Sequence, residues 1–113
     1  DQVRIVACKA AFLADGFLAG ADPYILWGHG GTGRALRRAL AVHGKRPSHV
    51  VELHPGRLGN RIDGAPVVPP DRLTSMPRGR LVASVAGAEA RGQIRQFLAA
   101  IGWEELRDYV VAA

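Results

Sequence analysis

Tyr24-Ile25-Leu26-Trp27-Gly28-His29-Gly30-Gly31-Thr32-Gly33-Arg34 runs from an apolar strand straight into G-x-G-x-x-G and on into a helix-forming stretch. That order is the phosphate-binding turn of a Rossmann-type unit. Gly28 permits the tight turn, Gly30 lets the backbone approach a phosphate, and Gly33 lets the next helix pack closely on its strand. The helix then directs its free N–H groups and the positive end of its dipole at the anion. The hexapeptide alone carries little, because any tight strand-to-helix crossover favours glycine, so its surroundings decide.

Those surroundings fit. Ala35, Leu36, Ala39, Leu40 and Val42 form an apolar stripe, with Arg34, Arg37, Arg38 and His43 largely on the other face, and Gly44 stops the helix. A second strand, Ser48 to Leu53, follows and carries Glu52 about 20 residues past the loop, where the fingerprint places a ribose ligand. Upstream, Val3, Val6, Ala10, Leu13 and Phe17 recur at helical spacing over Gln2 to Leu18, and Gly20-Ala21-Asp22-Pro23 turns into the first strand. Residues 1–22 are therefore expected to form a helix and connector, and residues 23–113 a Rossmann-like domain.

Beyond Glu52 the chain is rich in glycine and proline. Asp63-Gly64 signals a tight turn, and Val67-Val68 before two prolines predicts a short edge-type strand. Asp71 to Met76 can supply only a short helical turn. Arg80 to Ala86 predicts a buried strand, Gly87 to Gly92 a loop, and Ile94, Phe97, Leu98 and Ile101 a helix ended by Gly102. Asp108 to Ala112 predicts a last strand. The expected architecture is α/β: a small Rossmann-like αβα domain of three layers, with a mainly parallel sheet and a leading N-terminal helix.

Composition narrows the function. A chain of 113 residues with 48% apolar content suits one layered core. It is too short for a complete dinucleotide enzyme. It begins at Asp1 and is read as a piece of a longer protein. The single cysteine, Cys8, excludes an internal disulfide and fits a cytoplasmic setting. No apolar run approaches the roughly 20 residues of a membrane span. The net charge of +5 suits phosphate-bearing partners. The arginines are scattered along the chain, however, and aromatic residues make up only 6%, so solvated helix faces are the expectation and a nucleic-acid partner is not.

No catalytic set emerges. His29, His43, His49 and His54 lack metal-binding spacing, neither tyrosine has a lysine four residues on, Ser84 lacks a nucleophile elbow, and Cys8 lacks a positioned histidine. The candidate binding residues are Gly28, His29, Gly30, Gly31, Thr32, Gly33 and Glu52. Across the crevice between the strands at Ile25 and Leu81 stand Gly87 and Arg91, the latter as a phosphate partner through its guanidinium fork.

Ile25 to Arg34, Leu58 to Val68, the Gly87 to Arg91 loop and the ending Asp108 to Ala113 together resemble the C-terminal Rossmann-like region of bacterial family 2 glycosyltransferases. Ala7 to Gly16 resembles the segment joining that region to the catalytic domain. The glycine loop and Gly64-Ala65-Pro66-Val67 are also similar to N-terminal sugar-nucleotide-binding domains of bacterial sugar acetyltransferases. The resemblance implies a non-catalytic accessory domain that binds a nucleotide or sugar nucleotide beside an upstream glycosyltransferase catalytic domain. No Asp-x-Asp triplet is present to supply transferase chemistry here. His29 stands where that family usually has a small residue, and Glu52 where it has aspartate. Two other readings remain open: an NAD(P)-binding oxidoreductase domain, less favoured because no hydride-side residues are found, and a ligand-free domain that forms a homo-oligomer through the Val3 to Phe17 seam.

Overall fold

A computed structural model describes residues 1–112. In chain order it contains helix α1 (Gln2–Asp15), strand β1 (Tyr24–Trp27), helix α2 (Gly31–Ala41) and strand β2 (Pro47–Val51). There follow β3 (Arg61–Ile62), β4 (Ala65–Val68), β5 (Leu81–Ala83), helix α3 (Ala88–Ala100) and β6 (Tyr109–Val111), with 3-10 turns at Pro55–Arg57 and Pro70–Thr74. The six strands form one sheet in the order β3-β4-β2-β1-β5-β6, parallel except for the β3–β4 hairpin. The α/β class and the mainly parallel sheet are as the sequence predicts.

Period-two alternation along β1 divides the core. Tyr24 and Leu26 point to the face covered by α1 and α2, where they meet Ala10, Leu13, Leu36, Leu40, Val50 and Val82. Ile25 and Trp27 point to the face covered by α3, among Val51, Leu81, Ile94, Leu98 and Trp103. All four β1 residues are buried, as expected of a central parallel strand covered on both sides. Chain direction diverges at β1: the chain moves outward to β2 and β4, then returns to add β5 and β6 on the other side. The C-terminal ends of β1 and β5 therefore frame the crevice at which open α/β sheets bind ligands.

Several local expectations change. Val42 is 83% exposed just past α2, whereas the Arg37 side chain is only 14% exposed and pairs with Asp63 at the hairpin tip. Helix α1 stops at Asp15, where the Gly16 N–H bonds back to the Phe12 carbonyl, and Val3 of the expected seam is 80% exposed. The strand at Val67-Val68 is not an edge, because β2 pairs with it on one side and β3 on the other. Proline is tolerated in β4 at Pro66, and the outward edge role falls to β3. Gly92 lies inside α3 rather than in the preceding loop, and β5 ends at Ala83.

Candidate functional site

The glycine loop separates packing from access. Gly28 has φ +107, and a Cβ there would lie 2.6 Å from Val85 Cγ1 and 2.7 Å from the Ser84 carbonyl oxygen. A Cβ on Gly33 would lie 2.2 Å from the Gly28 carbonyl oxygen. Both positions are closed to any side chain by the protein itself. Gly30 differs: its φ of −77 suits any residue, and a Cβ would meet nothing within 4 Å. Gly30 is the N-cap of α2 and no side chain caps it, so the first amides of the helix face open space.

That space is a cavity of about 360 Å³ lined by Gly28, His29, Gly30, Gly31, Thr32, Glu52, His54, Arg57, Ser84, Val85 and Ala86. A second cavity of about 540 Å³ shares Gly28, Glu52 and Val85 with it and is walled mainly by Trp27, Leu53, Pro69, Pro70, Ile94 and Phe97. Trp27 and Phe97 meet edge to face there, with ring centroids 5.7 Å apart. A polar cradle thus opens beside an apolar slot at the C-terminal ends of the strands. Ser84, 1% exposed, lines the cradle, and its Oγ has no partner among the described residues.

Electrostatics favours an anion. The His29 carbonyl accepts from Arg34 Nη1 at 3.3 Å and from Arg57 Nη1 at 2.9 Å, which draws both guanidinium groups to the loop. The first turn of α2 has no acidic residue. Glu52 lies just past β2; its Oε1 accepts from the Leu53 and His54 amides at 2.9 and 3.2 Å, and its Oε2 faces Arg57 at 3.2 Å. Burial, followed by the charges of Arg37, Arg34 and Arg57, holds the His29 imidazole below its ordinary pKa, and burial together with Arg72 does the same for His49. Both rings resist protonation when folded, so below about pH 6.5 the unfolded chain binds more protons and stability falls with pH. The melting temperature is expected to be lower at pH 5.5 than at pH 7.5, and His29→Gln to narrow that difference. An unchanged pH dependence in that variant would remove His29 from the account.

Of the residues singled out in the sequence, Gly28 to Thr32 and Glu52 line the cradle, while Gly33 sets its floor by packing. Gly87 and Arg91 line neither cavity: Gly87 caps α3 with φ +97, and Arg91 lies in the first turn of that helix. The basic residue brought to the cradle is Arg57. Its place in a glycine- and proline-rich turn hid it, although an arginine five residues after the ribose-position acid was a usable signal. Among the described residues no cluster of His, Cys, Asp and Glu could hold a metal, and no helix is long and apolar enough to cross a membrane.

No family model matches the sequence, and no curated protein matches it. Among solved structures the fold is similar to RSP, a Rex-family repressor, with TM-score 0.61 and 14% identity over 89% of this chain and 56% of that one. RSP in complex with β-NADH matches with TM-score 0.60 and 13% identity over 89% of this chain and 57% of that one. RSP in complex with β-NAD⁺ and operator DNA matches with TM-score 0.59 and 13% identity over 80% of this chain and 49% of that one. The chain spans about half the length of these proteins. At such identity the likeness establishes a Rossmann-like fold.

Two expectations are corrected by this finding. The resemblance to glycosyltransferase and sugar acetyltransferase domains does not hold, because the neighbours are repressor structures; the glycine loop behind it is common property of the fold. The exclusion of nucleic acid as a partner also falls, since one neighbour was solved on operator DNA. The neighbours solved with β-NAD⁺ and β-NADH hold the cofactor class that the sequence ranked below sugar nucleotides.

Proposed function

We propose that this chain is a nucleotide-binding module of the NAD(H) class. The observation that carries it is the uncapped start of α2 at Gly30, open to a cradle that adjoins an apolar slot. The diphosphate lies against the amides of Gly30, Gly31 and Thr32. Glu52 would accept from the ribose, and the apolar slot lined by Trp27, Leu53, Val85 and Phe97 would hold the adenine ring. The neighbours that hold NAD⁺ and NADH support this assignment. A ligand at 100 times its dissociation constant adds about 2.7 kcal/mol of stability, which in a domain of this size raises the melting temperature by about 10 °C. A melt with NADH, NAD⁺ and ADP-ribose is expected to show such a shift, and UDP-glucose a smaller one. No shift with any adenine dinucleotide would sink the proposal.

The neighbour on operator DNA favours a second, wider reading, in which the module belongs to a regulator of DNA binding. Anisotropy of a labelled duplex at low salt, with and without NADH, tests a direct part for this chain. Failure of the duplex to bind at about 100 µM chain, the weak end of non-specific affinities, would confine the module to the nucleotide.

A further inference from the structure

Glu52 and Arg57 stand where a dinucleotide site discriminates at the ribose 2′ position. A carboxylate there accepts the 2′-hydroxyl and repels a 2′-phosphate, whereas a nearby arginine accommodates the phosphate. Sites that hold only the carboxylate choose between cofactors by charge. Here both groups are present and joined through Glu52 Oε2 and Arg57 Nη1 at 3.2 Å.

The details of that pair weaken the repulsion. Glu52 Oε1 already takes two main-chain N–H groups, from Leu53 and His54, so the carboxylate stays held without Arg57. The Glu52 side chain is 16% exposed and that of Arg57 is 42% exposed, so the cation is the more accessible partner. His54 lines the same cradle. Its Nδ1 accepts from the Gly56 amide at 3.2 Å.

Resting on the dinucleotide reading above, we propose that Arg57 is a specificity-determining residue that lets the cradle accept 2′-phosphorylated dinucleotides alongside unphosphorylated ones. With a 2′-hydroxyl, Glu52 Oε2 accepts from the ribose while Arg57 stays on the His29 carbonyl. With a 2′-phosphate, the guanidinium turns from Glu52 to the dianion, and the main-chain donors keep the carboxylate in place.

Calorimetric titration of the chain with NADH and NADPH tests this, using the wild type, Arg57→Met and Arg57→Lys. The wild type is expected to bind the two within about 5-fold of one another. Arg57→Met should weaken NADPH about 10-fold or more beyond any loss of NADH affinity, the scale of one lost charge-assisted hydrogen bond. Arg57→Lys should recover part of the NADPH affinity. Melting curves of the free variants within about 2 °C of wild type, as expected for a change at an accessible side chain, establish that each is folded. NADH binding with NADPH excluded by about 100-fold or more would overturn the proposal and leave the crevice assignment standing. Equal weakening of both ligands by Arg57→Met would also overturn it, making Arg57 a general phosphate clamp. Binding of neither dinucleotide to the wild type would overturn the crevice assignment and this proposal together.

Discussion

Gly33→Ala is expected to destabilise the domain by about 3 kcal/mol or more, lowering its melting temperature by roughly 10 °C or leaving it unfolded. The added methyl would sit 2.2 Å from the Gly28 carbonyl oxygen and 2.9 Å from its carbon, both backbone atoms. Side chains relieve such contacts by changing rotamer, but backbone must move. The Gly28 peptide has little room to do so, because Val85 and the Ser84 carbonyl already close its other side. Relief would therefore require α2 to lift off β1, uncovering Leu36 and Leu40 of the core. Circular dichroism melts check this outcome. A Gly33→Ala protein that melts within about 2 °C of wild type would show that the helix can shift freely and that the close approach is not required.

Gly30→Val should do the reverse. Three residues away on the same loop, the new side chain enters space that no protein atom occupies, from a backbone conformation that valine adopts readily. The melting temperature should fall by no more than about 5 °C, the scale of putting valine in place of glycine at a helix N-cap. The isopropyl group, however, stands where a diphosphate must meet the helix amides. Dinucleotide affinity is expected to fall about 100-fold or more, the equivalent of about 2.7 kcal/mol, as the phosphates are pushed beyond hydrogen-bond reach. Titration with NADH provides the measurement. Unaltered affinity would place the ligand away from the glycine loop. Together the two substitutions separate a glycine required by the fold from one left open for a ligand.

The strand, loop and helix from Tyr24 to Ala41 were legible because their signals are local: an apolar run, a glycine pattern and a helical repeat lie next to one another in the chain. The place of β4 was not. Val67-Val68 before two prolines carries the marks of an edge, and only long-range pairing with β2, together with the short β3 laid outside it, makes it internal. The exposure of Val42 was missed for a related reason, since a repeat predicts an apolar face but not where the helix ends. At the site, Glu52 could be placed by its spacing from the loop. Arg57 could not be placed by periodicity, because the turn that carries it has none. Charge misled in the same way: Arg34, Arg37 and Arg57 look scattered in sequence yet their charges converge on His29. The family resemblance rested in part on a loop whose glycines are fixed by contacts at Gly28 and Gly33 that a Rossmann crossover makes whatever it binds.

The crevice also lies over the join between the two halves of the sheet. The β1–α2–β2 unit closes through short loops, but β1 meets β5 only when Leu26 reaches Val82 across nearly half the chain. Bringing distant segments together costs loop-closure entropy before any contact compensates for it, so this seam is a costly pairing for the chain to close. The cradle takes Gly28 to Thr32 from one side of the seam and Ser84 to Ala86 from the other. Whatever occupies it touches both halves, so a ligand there would hold shut a seam that is costly for the chain to close.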